Sequence, residues 1–121
     1  MVGLYVFVVA KKEHLARFGN VRKLMVKTGY DGFTGNKGAA AVRFNIDDSA
    51  FSFVNVHLES GQKYVAERLE NLRQIYDEAY NNFSQDLTDS ASFYHDYKFI
   101  LGDTNFRINK SFADVVKIVQ E

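Results

Sequence analysis

Two polar side chains follow a short apolar run near the carboxyl end of the sequence. Residues 99–101 are apolar and lead into Gly102-Asp103-Thr104-Asn105. On an extended backbone, alternation would place the side chains of Asp103 and Asn105 on the same side, about 7 Å apart. Because a carboxylate can accept a proton from water and a carboxamide offers an uncharged donor, the pair could act on one ligand. The alternative is a simple turn after a buried strand, which Asp and Asn often mark.

A histidine lies at the end of a second apolar segment. Alternation in Val54-Asn55-Val56-His57-Leu58 predicts that Asn55 and His57 share one side, opposite the apolar side chains. Imidazole titrates near neutral pH and donates from both nitrogens when protonated, which suits proton transfer or binding of a phosphoryl oxygen. A histidine beside apolar neighbours can also be a structural residue, so this segment alone leaves both interpretations open.

A third candidate lies in a glycine-rich stretch. Residues 29–38 hold four glycines and are predicted to form a loop. Its last residues, Gly35-Asn36-Lys37-Gly38, could present backbone N–H groups and an ammonium group to a phosphate. The stretch is not a Walker sequence, because both the Walker spacing and the Ser/Thr after the lysine are missing.

Composition excludes several classes of protein. The 121 residues are about one domain, and 46% hydrophobic and 15% aromatic residues exclude a disordered polymer. Without cysteine there is no disulfide framework and no thiolate metal site. No apolar run approaches the roughly 18 residues of a spanning helix, and the first residues lack the basic region and cleavage site of a signal peptide. We therefore expect a cytoplasmic location.

A net charge of zero hides a division of charge along the chain. Residues 1–45 carry eight Lys/Arg against two acidic residues, a net charge of +6, so residues 46–121 carry −6. The basic segment could face phosphates, nucleic acid or an acidic membrane surface. The alternative is that the two halves attract each other within the fold.

The hydrophobic pattern predicts the elements that position these side chains. The amphipathic pattern of a helix covers 64–81. Its apolar face is predicted to hold Val65, Leu69, Leu72, Ile75 or Tyr76, and Ala79, with Arg68 among the charged residues elsewhere. A turn or loop is expected at 14–19, a loop at 84–92, and a final helix at 112–119 capped by Ser111. Strands are predicted at 2–10, 21–28, 39–46, 50–58 and 97–101, and an acidic turn at 47–49 joins two of them in a hairpin.

Several of these strands are apolar on both faces, as in sheets that are covered by layers on each side. One long helix and one short one are too few to supply those layers. We therefore expect residues 1–121 to be a piece of a larger α/β domain.

The motifs, taken in order, resemble the central part of one enzyme family. They are Val26-Lys27-Thr28-Gly29, Thr34-Gly35-Asn36-Lys37-Gly38-Ala39, Phe53-Val54-Asn55-Val56-His57-Leu58 and Gly102-Asp103-Thr104-Asn105-Phe106-Arg107. This series, which spans nearly the whole chain, resembles inositol polyphosphate 5-phosphatases, particularly those of the synaptojanin and oculocerebrorenal-syndrome types. Several ordered motifs are far more specific than any single one.

The resemblance implies a partial four-layer α/β sandwich of the endonuclease/exonuclease/phosphatase superfamily, Mg²⁺ dependence, and removal of the 5-phosphate from phosphoinositides or inositol polyphosphates. By this resemblance Asp103 would orient or deprotonate the attacking water, Asn105 would hold the phosphoryl group, and His57 would bind the scissile phosphate. Asn36 and Lys37 resemble the loop that meets the 1-phosphate side of the headgroup, and Asn55 is a further candidate for substrate binding.

The expected partners are the inositol phosphate or phosphoinositide and the cytosolic face of anionic membranes, with no nucleic acid. The basic segment 1–45 agrees with a peripheral membrane location.

Departures from the family pattern limit what the chain can do by itself. The family's usual tryptophan and tyrosine are Ile100 and Phe106 here, and a second signature that needs Pro, Trp and Cys cannot occur in a chain without them. A Ser-Asp-His element and the amino-terminal glutamate that holds Mg²⁺ are also missing. We therefore expect an incomplete metal site, with ligands in this chain unknown, and little or no activity. The alternatives are a nuclease of the same superfamily and a non-catalytic remnant that binds anionic lipid.

Overall fold

A computed structural model describes residues 3–29, 34–81 and 95–120, with the side chains of 34, 35, 80 and 81 left out. The predicted loop at 84–92 lies outside the described residues. After a 3-10 helix at Lys12–Arg17, the elements in chain order are β1 (Phe18–Gly29), β2 (Thr34–Ile46), β3 (Ser49–His57), α1 (Val65–Asn81), β4 (Tyr97–Asp103) and α2 (Phe112–Gln120). None of the helices in this part of the chain has the length and apolar character needed to cross a bilayer.

The strands form one mixed sheet in the order β1-β2-β3-β4. β1 with β2 and β2 with β3 are antiparallel, whereas β3 and β4 are parallel and are connected across α1. His57 is the register partner of Asp103 in β4 and of Gly38 in β2. The carboxyl ends of β3 and β4 therefore meet at one edge of the sheet, beside the first residues of β2.

The hairpin prediction is confirmed, but the predicted loop at 29–38 is partly wrong. β2 begins at Thr34, and its pairing with β1 continues to Gly29, with an irregularity after Lys27. Gly38 has a φ of 138°, and a Cβ there would overlap the carbonyl oxygen of Val26. The glycine thus lets two strands approach closely, rather than ending the sheet.

α1 covers one face of the sheet and forms the core with it. The buried side chains of this core are Val26, Ala39, Ala41, Val54, Val56, Leu58 and Ile75. The helix prediction is confirmed in position, and its apolar face is confirmed at Leu72, Ile75 and Ala79 but is wrong in the first turns. Val65 and Leu69 are exposed, whereas the stripe that faces the sheet holds Arg68, Leu72, Ile75 and Ala79.

An aromatic ladder runs across the other face of the sheet. Six rings stack from strand to strand with centroids 4.7–5.8 Å apart, namely Phe18, Phe44, Phe51, Phe53, Tyr97 and Phe99. Residues 5–9 lie over part of this ladder and line an open pocket of about 350 Å³ with Phe44, Phe53 and Leu101.

The strand predicted at 2–10 is wrong. The described residues 4–10 form no regular element, and Phe7 and Val9 are 85% and 93% exposed. The segment crosses a face of the sheet instead of lying beside an edge strand. Its N–H groups therefore do not join the hydrogen bonds between strands.

The predicted strand at 97–101 is confirmed and extends to Asp103, but it is not buried. Each residue of β4 is exposed, because only β3 adjoins it among the described residues and α1 lies nearer the middle of the sheet. The cap at the last helix is also confirmed, since the Asp114 N–H donates to Ser111 Oγ at 3.2 Å.

His95 provides a test of this packing. It is 7% exposed, and burial, aided by the nearby charges of Arg43 and Lys98 and opposed by Asp96, lowers the pKa of His95 to about 4. In the unfolded chain the His95 side chain has a pKa of 6.5. Between pH 6.5 and about 4 it is therefore protonated in the unfolded chain but neutral in the folded chain. Stability present above pH 6.5 should therefore fall as the pH approaches 4, by up to about 3 kcal/mol.

We expect His95→Gln to remove this part of the pH dependence, because the glutamine side chain does not titrate. The free energy of unfolding by urea at pH 7 and pH 4.5 measures it. Equal losses of stability in the wild type and His95→Gln would contradict the buried, neutral imidazole.

Candidate active site

Two strand ends bring a histidine and an aspartate together. His57 and Asp103 are the last residues of β3 and β4, and the Leu58 N–H donates to the Asp103 carbonyl at 3.0 Å, which continues the pairing past both strands. His57 Nε2 lies 3.8 Å from Asp103 Oδ2. The ends of parallel strands are a common place for ligand sites in α/β sheets, since side chains from several elements converge there.

Lys37 joins this pair from the start of β2. Its side chain is 8% exposed, and Nζ lies 2.9 Å from His57 Nε2. An ammonium group can only donate, so Nε2 is the acceptor and the imidazole hydrogen is on Nδ1. An ion pair between Nε2 and Asp103 would require a proton on the same nitrogen. The Lys37 contact is the shorter of the two, so it favours the form in which Nε2 accepts and Nδ1 carries the hydrogen.

Asn105 does not follow the predicted alternation. Its φ is 54°, in the left-handed region, and its N–H donates to Asp103 Oδ1 at 2.9 Å, which closes an Asx turn. The prediction that Asp103 and Asn105 project from one extended backbone is therefore wrong, because β4 ends at Asp103. The two side chains still converge, since the turn brings Asn105 back toward the end of β3.

The Asn105 carboxamide is buried and bonded at both ends. Nδ2 donates to the Leu58 carbonyl at 3.0 Å, and Oδ1 accepts from Arg107 at 3.1 Å. A carboxamide nitrogen has two hydrogens, so one N–H remains for a ligand. Arg107 was part of a sequence motif but carried no predicted role, since only the turn at Asn105 shows what its guanidinium contacts.

The other two predicted residues lie farther from the strand ends. Asn55 shares the His57 side of β3, as predicted, but it is two residues inward and donates to the Tyr5 carbonyl at 2.8 Å. That bond holds the extended amino-terminal segment against the sheet. Asn36 is exposed beside Lys37, on the rim of the same edge.

Known proteins of one family are similar to this chain over nearly its whole length. The model of endonuclease/exonuclease/phosphatase family 2 matches residues 1–121. The chain belongs to the endonuclease/exonuclease/phosphatase family. Rat synaptojanin-2 is 33% identical over 120 residues, which are 99% of this chain and 8% of that protein. Inositol-1,4,5-trisphosphate 5-phosphatase 1 of Schizosaccharomyces pombe is 31% identical over 121 residues, all of this chain and 11% of that protein.

A solved structure supports the same assignment. The inositol polyphosphate 5-phosphatase domain of SPsynaptojanin, determined with inositol (1,4)-bisphosphate and calcium, is 32% identical with a TM-score of 0.66. The match covers 90% of this chain and 30% of that one. The predicted α/β fold and the resemblance to inositol polyphosphate 5-phosphatases are thereby confirmed, and this family member spans about a tenth of the length of its curated relatives.

The residues present do not make a metal site by themselves. Within 3–29, 34–81 and 95–120, no three His, Asp or Glu residues come close enough to hold an ion together. Asp103 is the acidic group at the strand ends, and its Oδ1 already accepts from the Asn105 N–H. A hard divalent ion prefers several oxygen ligands, so the donor set of this family member does not fit one unaided.

Gly102 is required for the two strand ends to meet. Its φ is 110°, and a Cβ there would overlap the Val56 carbonyl oxygen and Oδ1 of Asn55. We expect Gly102→Ala to lower the free energy of unfolding by at least about 2 kcal/mol, because strain and overlap with backbone add. Gly19→Ala is the control, since nothing lies within 4 Å of its Cβ position. Urea denaturation of both variants gives the comparison, and equal effects would contradict the close approach.

The Lys37 contact predicts which nitrogen of His57 carries hydrogen. In the wild type at neutral pH, ¹⁵N NMR of the imidazole should show the Nδ1–H form, because Nε2 accepts from Lys37. Lys37→Met should remove this preference and leave a mixture of forms. Lys27→Met, at an exposed lysine of β1, is the control. A His57 spectrum unchanged by Lys37→Met would contradict the contact.

Proposed function

We propose that this chain contributes the strand-end residues of a longer catalytic domain that hydrolyses the 5-phosphate of phosphoinositides or inositol polyphosphates. The observation that carries the proposal is the convergence of Lys37, His57, Asp103 and Asn105 at one edge of the sheet. Its support is the similarity to a 5-phosphatase domain that was determined with inositol (1,4)-bisphosphate.

In the proposed reaction water attacks phosphorus in line with the leaving oxygen. The new P–O bond forms as the bond to the inositol oxygen breaks, and that oxygen takes a proton from solvent. Asp103 accepts the proton of the attacking water on Oδ2. Its other oxygen, Oδ1, accepts from the Asn105 N–H and holds the turn. The remaining N–H of Asn105 and the Lys37 ammonium donate to phosphoryl oxygens, whose negative charge grows in the transition state. Since no side chain attacks phosphorus, no covalent phosphoenzyme forms.

Lys37 also links substrate binding to the state of His57. While its ammonium donates to Nε2, that nitrogen cannot donate to a phosphate. A phosphoryl oxygen that accepts from Lys37 releases Nε2, which can then carry a proton and donate to the same phosphate. Lys37 thus binds the scissile group in this proposal, and the exposed Asn36 is placed to meet a more distant part of the headgroup.

The proposed cofactor is Mg²⁺, with its main ligand outside this chain. Mg²⁺ supplies Lewis-acid stabilisation of phosphoryl oxygens when bound. The support for a divalent ion is the calcium in the structure of the SPsynaptojanin domain, which is 32% identical to this chain. We expect this chain without further residues to have little or no activity.

The proposed location is the cytoplasm, peripherally at anionic membranes, with no nucleic acid as partner. The supporting charge is smaller than composition indicates, because Lys37 and Arg43 are buried and Arg17 is paired with Asp47. The other cations of segment 1–45, Lys11, Lys12, Arg22, Lys23 and Lys27, are exposed, and Lys11 lies 3.9 Å from a carboxylate oxygen of Glu13.

A chimera tests the proposed function. Residues 1–121 replace the corresponding segment of the SPsynaptojanin 5-phosphatase domain, and phosphate release from inositol 1,4,5-trisphosphate is measured with Mg²⁺. We expect 5-phosphate release that falls about a hundredfold or more in Asp103→Asn, because the group that accepts the proton is lost. Asp48→Asn, an equal change of charge at an exposed turn residue, is the control and should keep the activity.

Thermal unfolding of each chimera shows that it is folded under the assay conditions. A folded chimera without 5-phosphatase activity, or one whose activity survives Asp103→Asn, would contradict the proposal. Nicking of plasmid DNA without release of phosphate from inositol 1,4,5-trisphosphate would instead favour a nuclease of this family.

A further inference from the structure

Arg68 is a charged residue in the buried stripe of α1. It lies in the first turns of the helix and is 0% exposed. No described carboxylate forms an ion pair with it. A buried guanidinium is costly unless it is hydrogen-bonded, so its contacts indicate what it contributes.

The guanidinium bridges the segments that follow the two catalytic strands. Nη1 donates to the carbonyl of Glu59 at 3.2 Å and to that of Gly61 at 2.7 Å, in the loop just after β3. Cζ lies 5.2 Å from the centroid of the Phe106 ring, in the turn just after β4. Nε and Nη2 are buried and make no hydrogen bond within the described part of the chain. The guanidinium therefore contacts the described residues through the two carbonyls and the Phe106 ring.

These contacts lie next to the bonds that fix the site. Leu58, which precedes Glu59, donates its N–H to Asp103 and accepts from the Asn105 carboxamide. Phe106 directly follows Asn105, whose left-handed φ of 54° sets the turn. A shift of either segment would therefore move the Leu58 carbonyl away from Asn105 Nδ2, or would move Asn105 itself.

We propose that Arg68 is a positioning residue that holds the Asn105 carboxamide and the Asp103 turn in place for a phosphate ester; this role rests on the proposed function. Arginine suits the position because its planar group donates to carbonyls at its edge while it stacks on an aromatic ring. Lysine provides one compact ammonium group and cannot reproduce both contacts. Methionine would fill similar space but would leave the two carbonyls without their donor.

Two readouts on the full chain test this role. The first is the ¹H–¹⁵N resonance pair of the Asn105 carboxamide, which reports its bond to the Leu58 carbonyl. The second is the dissociation constant of inositol (1,4)-bisphosphate, measured by calorimetry. We expect Arg68→Met and Arg68→Lys to shift the Asn105 resonances and to weaken binding about tenfold, because misplacement of a positioned donor is costly. The control is Arg73→Met, at an exposed arginine of α1 that pairs with Glu70 and Asp77.

Phe106→Leu keeps the arginine and removes only the ring. It therefore tests the positioning role even if Arg68→Met does not fold. It should shift the Asn105 resonances in the same direction. Unchanged Asn105 resonances in folded Arg68→Lys and Phe106→Leu would overturn the positioning role. Failure of the wild type to bind inositol (1,4)-bisphosphate would contradict a phosphate-ester pocket within this chain, whereas the Asn105 resonances still decide whether Arg68 positions the turn.

Discussion

The in-register parallel pairing of β3 with β4 is the constraint on which the rest of the site depends. This register makes His57 and Asp103 direct partners, and the Leu58 N–H extends the pairing by one further bond to Asp103. Shifting the register by one residue would turn every β4 side chain to the opposite face and separate the two polar groups. Gly102 permits the pairing, since its neighbours leave no space for a side chain.

The two faces of the sheet have different roles in supporting that edge. α1 closes the aliphatic core on one face, and its first turns bring Arg68 under the loops that follow β3 and β4. The other face carries the aromatic ladder, whose rings follow the same cross-strand register that pairs His57 with Asp103. The candidate site therefore lies just past the last strand residues, where α1 supports it from one face and the strands of the aromatic ladder lead into it.

Buried cations explain why composition was only a partial guide to the surface. Lys37, Arg43 and Arg68 are each at most 8% exposed. Lys37 contacts an imidazole, and Arg68 contacts two carbonyls and an aromatic ring, instead of solvent or lipid. Counting charges along the sequence cannot separate these from exposed lysines. A charged residue in the three-to-four-residue stripe of a helix, such as Arg68 with Leu72, Ile75 and Ala79, is the signal that would have identified one of them.

Local patterns were sufficient where local chemistry determines structure. The acidic hairpin turn, the helix at 65–81, the strand before Asp103 and the Ser111 cap all follow from residues adjacent in sequence. Segment 4–10 was mispredicted as a strand, because whether an apolar run joins a sheet depends on which neighbours it meets. The left-handed conformation of Asn105 could not be predicted from the local sequence pattern, because Leu58 and Arg107 hold it from outside the strand.

The central claim is that Lys37, His57, Asp103 and Asn105 form one pocket for a phosphate ester. Backbone and side-chain NMR resonances of the full chain, followed during titration with inositol (1,4)-bisphosphate, test it most directly. We expect saturable shifts concentrated at these four residues and at Arg107, with little change at the exposed Lys11, Lys12 and Lys23. Shifts spread over the exposed lysines, with the strand-end resonances unmoved, would contradict it.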